Sequence, residues 1–126
     1  MEFNDNKAIY LQLADQIMNA IERGDFNDGD RIPSVREYAA QSGVNANTVM
    51  RTFSWLQQEE IIFNKRGIGY FFCEGARERV RQMRREHFLK KDLPYFLERM
   101  KALDISLDDF INLYNNPQTI DYTKPI

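Results

Sequence analysis

Three polar side chains recur along one predicted helix in the middle of the chain. Asn47, Thr48 and Arg51 bring an amide, a hydroxyl and a guanidinium group to its first turns. An α-helix fits the major groove of DNA, where Arg pairs with guanine, Asn pairs with adenine and Thr contacts a thymine methyl group or a phosphate. The alternative is an ordinary solvated face. Such faces usually carry Glu and Lys pairs, however, and residues 45–57 contain none.

A basic turn follows this helix. Lys65, Arg66, Gly67 and Gly69 lie between two short β-prone runs within residues 61–73, which predicts a hairpin. Glycines allow the backbone to approach a ligand closely, and the two cations could meet phosphates or enter a minor groove. The alternative is a basic turn that only discourages unwanted strand pairing.

A third cation is predicted in the first turn of a short helix. Ser34 and Glu37 have the spacing of a capping box, which predicts that this helix begins at Ser34. Arg36 would then lie where the helix dipole favours an anion, so it could clamp a phosphate. A salt bridge from Arg36 to Glu37 or Asp30 is the alternative.

Regular apolar spacing predicts the elements that would position these side chains. A first amphipathic helix carries apolar residues at intervals of three and four and ends at Gly24. Ala39, Gly43 and Val49 then have the spacing of a helix-turn-helix, in which the glycine supplies the positive φ of the turn. The third helix ends near residue 58. We therefore predict a mostly α-helical fold with a small β-hairpin wing.

Residues after the hairpin predict further helices. One helix is expected over 77–90, a break or kink near Asp92 and Pro94, a second helix to about Leu103, and a last one capped by Ser106. A loose tail is expected over 115–126. The apolar surface exceeds what thin helices can hide among themselves, which indicates a subunit interface. The predicted interface residues are Met83, Phe88, Leu89, Leu93, Phe96, Leu97 and Met100. Packing back onto the preceding domain is the alternative.

Composition limits the classes of protein. The chain has 126 residues with 17 basic and 19 acidic side chains, so DNA binding would need individually placed cations rather than a bulk positive field. Residues 1–75 have a net charge of −4, and 77–91 a net charge of +5. With one cysteine and one histidine we expect no metal site and no cofactor. We find no secretory signal, no membrane span and no catalytic pair, and we expect a cytoplasmic protein that is not an enzyme.

The combined motifs resemble the winged helix-turn-helix domain of the GntR family of bacterial transcriptional regulators. They are IPSVRE at 32–37, GVNANTVMR at 43–51 and RGIGYF at 66–71, within a match over about 7–74. The helical remainder is similar to the YtrA-type subfamily, whose small C-terminal part serves dimerisation. The resemblance implies DNA contacts at Ser34, Arg36, Asn45, Asn47, Thr48, Arg51, Lys65, Arg66, Gly67 and Gly69. Ala46 and Met50 stand where many members have arginine.

Together these observations predict a two-part regulator. A winged helix-turn-helix DNA-binding domain is expected over 1–75 and a short α-helical dimerisation region over 76–126. We expect a homodimer that binds a pseudo-palindromic double-stranded DNA operator, as a repressor, without contact to a membrane. The alternative is a winged-helix module that binds another protein. A small-molecule effector is neither assigned nor excluded.

Overall fold

The computed structural model describes residues 7–119 of the chain. Contacts divide the protein into two compact units that meet between Glu86 and His87. We call residues 7–86 the N-terminal unit and residues 87–119 the C-terminal unit. The division lies eleven residues after the predicted boundary at 75, because Ala76 and Val80 are buried in the N-terminal core.

Three helices form the first half of the N-terminal unit. They are α1 (Ile9–Arg23), α2 (Val35–Ser42) and α3 (Ala46–Gln58). Gly24 and Gly43 end the first two helices in the left-handed conformation, with φ values of 81° and 71°. That conformation strains residues with a Cβ atom, so the glycines allow the sharp turns that the sequence predicts.

The predicted N-terminal cap at Ser34 is confirmed, and Asn45 forms a second cap in this half. The Ser34 hydroxyl accepts a hydrogen bond from the Glu37 backbone N–H at 3.1 Å, and the Glu37 carboxylate accepts one from the Ser34 N–H at 3.5 Å. Asn45 caps α3, since its Oδ1 accepts from the Asn47 N–H at 2.7 Å. These bonds satisfy donors that the first helical turn leaves unpaired.

A three-stranded antiparallel sheet follows. β1 (Arg31–Ile32) pairs with β3 (Gly69–Phe72), and β3 pairs with β2 (Ile62–Lys65), giving the order β1-β3-β2. The sequence predicts the hairpin of β2 and β3 but gives no signal for β1. A two-residue strand has too little sequence to show a period, so its pairing with β3 emerges only in the fold.

The core of the N-terminal unit lies between the helices, the sheet and α4 (Ala76–His87). Its buried members are Leu13, Ala14, Ile17, Met18, Ile21, Ile32, Val49, Phe53, Leu56, Ile61, Ile62, Phe72, Ala76 and Val80. Phe53 is central, because its ring meets those of Tyr38 and Tyr70 edge-on, with centroids 5.7 and 5.0 Å apart. Such aromatic pairs add to the stabilisation from burial.

The C-terminal unit is helical throughout most of its described length. A π-helical segment (Phe88–Asp92) leads into α5 (Leu93–Ala102), and α6 (Leu107–Asn115) and a 3₁₀ turn (Pro117–Thr119) follow. The predicted capping box of Ser106 is confirmed, with 3.0 Å from the Asp109 N–H to the Ser106 hydroxyl. Of the predicted loose tail, residues 120–126 lie outside the described residues.

The helical backbone continues through Pro94, so the predicted break is wrong, and the kink given as its alternative stays a prediction. Asp92 and Leu93 both keep helical backbone angles, and Pro94 lies in the first turn of α5. The Leu93 N–H bonds to the Phe88 carbonyl, so the preceding turn is one residue wider than in an α-helix. A wider turn leaves room for a proline ring, which in a regular helix clashes with the carbonyl four residues earlier.

Candidate nucleic-acid interface

One face of α3 points to solvent. Asn47, Met50, Arg51 and Ser54 are exposed, at the spacing of three and four residues that defines one side of a helix. The opposite side is buried through Val49, Thr52, Phe53 and Leu56. The core therefore holds α3 firmly, and the polar side of α3 is accessible to a ligand, as predicted. The roles of Asn47 and Arg51 in DNA binding stay predictions.

Arg51 is held by an aromatic ring. Its guanidinium carbon lies 4.0 Å from the centroid of the Tyr10 ring in α1. A cation over a ring face is attracted by the ring's quadrupole. Sequence reasoning missed Tyr10, whose spacing suggests only a core position, because the meeting of α1 and α3 is a tertiary contact.

Two other predicted residues already have structural roles. The Ser34 and Asn45 side chains cap α2 and α3, so only the Ser34 O–H and the Asn45 amide N–H groups are left to donate to a ligand. Thr48, also a predicted DNA contact, is half-buried. A phosphate at either helix N-terminus would still meet favourable backbone dipoles.

Arg36 is exposed in the first turn of α2, and the predicted alternative of a salt bridge is wrong. The Glu37 carboxylate is engaged with the Ser34 N–H, and the Asp30 carboxylate accepts from the Asn27 N–H at 2.8 Å. Arg36 makes no ion pair within residues 7–119. Its charge therefore remains available for a phosphate.

The wing is a tight turn between β2 and β3. The Ile68 N–H donates to the Lys65 carbonyl at 2.9 Å, and Gly67 has a φ of 79°. Lys65 and Arg66 are exposed and make no ion pair in the described part of the chain. The turn thus presents two cations on backbone that few other residues could form.

Gly69 makes room for a further cation that sequence reasoning missed. A Cβ atom at Gly69 would lie 3.2 Å from the Nε atom of Arg31. The exposed Arg31 side chain therefore runs along the sheet toward the wing. The sequence signal was a lone arginine before Ile32, and only the pairing of β1 with β3 places its side chain next to Gly69.

Two cations of the basic stretch 77–91 form hydrogen bonds and ion pairs within the N-terminal unit. Arg84 donates to the Asn19 side chain at 2.8 Å and pairs with Glu22 at 3.1 Å, which ties α4 to α1. Arg79 donates to the Glu59 carbonyl at 3.1 Å. The charges of these two arginines are therefore engaged within the fold.

The predicted interface residues have different environments. Phe88, Leu89, Phe96 and Leu97 are exposed, Leu93 is half-buried and Met100 is buried. Met83 belongs to the N-terminal unit, where it packs against the core. For Met83 the structure therefore matches the alternative of packing back onto the preceding domain.

The described residues offer little else for chemistry. Residues 7–119 contain no cluster of three or more His, Cys, Asp or Glu side chains that could hold a metal ion. Burial raises the pKa of the Tyr38 hydroxyl, and burial together with the Glu60 carboxylate raises the pKa of the Cys73 thiol. Both groups are thus held in their neutral forms. None of the described helices is long and apolar enough to cross a membrane.

An exposed polar face on the second helix of a helix-turn-helix, with a basic wing beside it, defines a winged helix-turn-helix protein. The chain belongs to the GntR family: the family described as "Bacterial regulatory proteins, gntR family" matches residues 9–72. The family and the relatives indicate a transcriptional regulator rather than an enzyme. Its bacterial relatives include the uncharacterized HTH-type transcriptional regulator YhcF of Bacillus subtilis, 37% identical over 110 residues that cover 87% of this chain and 89% of YhcF.

Two further similarities extend this result. A solved structure from Bacteroides thetaiotaomicron, assigned to the GntR family of transcriptional regulators, is 45% identical. It has a TM-score of 0.75, and the match covers 86% of this chain and 94% of that one. The HTH-type transcriptional repressor YtrA of Bacillus subtilis is 38% identical over 69 residues, 55% of this chain and 53% of YtrA.

Proposed function

We propose that this regulator binds a specific DNA operator as a homodimer and represses transcription there. The observation that carries the proposal is the solvent-facing polar side of α3, formed by Asn47, Arg51 and Ser54 on a buried frame. An α-helix with such a face fits the major groove, and its N-terminal turns reach base edges.

Base reading is assigned to α3. Arg51 has the donors for a bidentate pair with guanine, and Asn47 has the donor and acceptor for adenine. Met50 is exposed between them and offers an apolar contact for a thymine methyl group. Specificity therefore rests on Asn47 and Arg51, since Ala46 cannot donate a hydrogen bond from its side chain.

Backbone contacts are assigned to individually placed cations. Arg36, Lys65 and Arg66 are exposed and without ion pairs among residues 7–119. Because residues 1–75 have a net charge of −4, a broad electrostatic attraction to DNA is absent there. Each of these cations therefore carries a large share of the phosphate contacts.

The C-terminal unit supplies the dimer contact in this proposal. Phe88, Leu89, Phe96 and Leu97 leave apolar surface in water, which a second copy could cover in a two-fold interface. Two N-terminal units joined in this way would bind half-sites related by the same two-fold symmetry, about one helical turn or more apart. A pseudo-palindromic operator follows from that symmetry.

The direction of regulation is inferred from similarity. YtrA of Bacillus subtilis is named a transcriptional repressor, and this chain is similar to it over 69 residues. A dimer on a promoter excludes polymerase without needing any further activity. Such a regulator would act on chromosomal DNA in the cytoplasm, and the proposal involves neither cofactor nor membrane.

Selection from a pool of random-sequence duplexes tests the proposal. The full chain should enrich a two-fold symmetric sequence, and Arg51→Ala should weaken binding to it by ~1–3 kcal/mol while binding to a scrambled duplex stays the same. Arg23→Ala is the matched control, because Arg23 is exposed and pairs only with Asp25 within the described residues. Equal losses on both duplexes would contradict base reading. Failure to enrich any sequence would favour the alternative, a protein-binding module.

A further inference from the structure

The contact between Tyr10 and Arg51 joins two helices at the predicted DNA-reading surface. The guanidinium carbon lies 4.0 Å from the ring centroid, which is a stacking distance. Tyr10 is in the second position of α1, and Arg51 is in the first half of α3. The ring therefore comes from outside the helix-turn-helix formed by α2 and α3.

A buried hydroxyl group lies next to this contact. Thr52 donates from Oγ1 to the Tyr10 carbonyl oxygen at 2.8 Å, and the Thr52 side chain is fully buried. The same hydroxyl lies 3.0 Å from the Thr48 carbonyl oxygen, so its single proton is shared between two acceptors, of which the Tyr10 carbonyl is the nearer. The Tyr10 backbone therefore lies against α3 next to Arg51.

The ring leaves the donors of Arg51 unused. Within residues 7–119 Arg51 makes no ion pair and no side-chain hydrogen bond, so the ring face is what holds its guanidinium group there. A carboxylate in the same place would neutralise the charge and occupy two of the five N–H donors. A stacked ring engages the flat face of the group and leaves its donor edge for a base.

We propose that Tyr10 is a positioning residue that orients Arg51 for base recognition. This inference rests on the proposed function, because it assumes that Arg51 reads a base. A free arginine side chain loses much rotamer freedom when it binds, and a guanidinium group already held on a ring loses less. Sequence preference at the base pair read by Arg51 should therefore depend on a residue that does not touch that base.

Two substitutions separate the ring from the hydroxyl group. Tyr10→Phe keeps the aromatic face, and Tyr10→Leu keeps apolar bulk without it. We expect Tyr10→Leu to reduce the preference for the selected duplex over one altered at the Arg51-dependent base pair by about two- to fivefold. Tyr10→Phe should stay close to wild type. An equal loss in both variants would assign the role to the hydroxyl group and overturn the proposal.

A double-mutant cycle tests whether Tyr10 acts through Arg51. In the Arg51→Ala background, Tyr10→Leu should cause no further loss of preference. A full additional loss would overturn the proposal. If Arg51→Ala itself changes no preference, the proposed base reading fails. If Arg51→Ala abolishes the preference and Tyr10→Leu preserves it, only the positioning role fails.

The chemical shifts of Arg51 test the proposal without Tyr10→Leu, in case that variant does not fold. Protons on the Arg51 δ-carbon should be shifted upfield by the ring current in the wild-type protein and in Tyr10→Phe. The shift should persist when the selected duplex is added, since the stack is maintained during recognition. Random-coil positions for these protons in the free wild-type protein would overturn the proposal.

Discussion

The two units of this protein differ in how far their large apolar side chains are buried. In the N-terminal unit Phe53, Leu56 and Phe72 are almost fully buried, and helices and sheet close around them. In the described C-terminal unit Met100 alone is buried, while many large apolar side chains are exposed to water. These exposed residues are Phe88, Leu89, Tyr95, Phe96, Leu97, Leu103, Ile105, Leu107, Ile111 and Tyr114.

The contrast supports the proposed distribution of functions between the two units. A closed core lets the N-terminal unit present a rigid polar surface, which base recognition requires. An open apolar surface in the C-terminal unit is unfavourable in water unless another surface covers it. We therefore expect substitutions in the first unit to act on folding and DNA binding, and those in the second to act on association.

The largest effect is expected from the centre of the first core. Phe53→Ala removes a ring that is fully buried between two tyrosines, so it should lower the free energy of unfolding by about 3–5 kcal/mol. Tyr114→Ala is the control, because Tyr114 is an exposed aromatic residue of the C-terminal unit outside the predicted interface. Urea denaturation followed by fluorescence measures both. Equal destabilisation by the two variants would remove the distinction between the units.

A charge on the exposed apolar surface should act on association. Leu97→Glu places a carboxylate where the proposal has a subunit contact, so it should weaken the dimer by about 2 kcal/mol or more. Sedimentation equilibrium measures the change, with Lys101→Ala as a control on the same helix. Wild-type protein that sediments as a monomer would show that this surface does not join two copies.

Salt dependence should distinguish cations of the two units. Lys65→Ala and Arg66→Ala should each reduce the slope of log affinity against log salt concentration by about one counterion. Lys101→Ala, an exposed cation of the C-terminal unit, should leave the slope unchanged. Titrations of a scrambled duplex at several salt concentrations provide the slopes. Wild-type slopes for both wing variants would exclude the wing from the DNA interface.

The two capping boxes offer a smaller comparison. Ser34→Ala should lower the free energy of unfolding of the N-terminal unit by about 1 kcal/mol, because α2 packs on its core. Ser106→Ala should instead speed amide hydrogen exchange in the first turn of α6 and leave that free energy unchanged. A global loss from Ser106→Ala would mean that the two units unfold together.

The smallest effect concerns Cys73. Burial first, and the Glu60 carboxylate second, raise the pKa of its thiol above the ordinary 9.0. The thiol's contribution to stability is therefore complete below pH 9 and declines as the pH rises through the raised pKa. The alkylation rate of Cys73 should rise at a higher pH in the folded protein than in the unfolded chain. Glu60→Gln should move the profile of the folded protein to lower pH. Coincident profiles for folded and unfolded protein would contradict the shift.

Local signals predicted much of the fold. The glycines at 24 and 43, the caps at Ser34, Asn45 and Ser106, and the apolar spacing of α1 and α3 all depend on neighbouring residues. Such features follow from backbone sterics and from donors within one helical turn, so the sequence displays them directly. The exposed side of α3 was predictable for the same reason.

Pairing across long sequence distances was not predictable in the same way. β1 exists only because β3 lies beside it, and the Arg31 side chain reaches the wing only through that pairing. The sequence does not distinguish Arg84 from the other cations of α4, because its partner Glu22 lies in α1 and meets it only in the folded protein. The turn before Pro94 depends on a hydrogen bond whose register the sequence does not show.

The sequence by itself determined which side of α3 is polar and which residues cap the helices that hold it, because these properties depend on spacing within a few residues. Tertiary structure alone decided that Tyr10 supports Arg51, that Arg36 has no carboxylate partner among the described residues, and that α4 belongs to the N-terminal unit. Each of these depends on which surfaces meet when apolar residues leave water, and that meeting is a property of the whole fold.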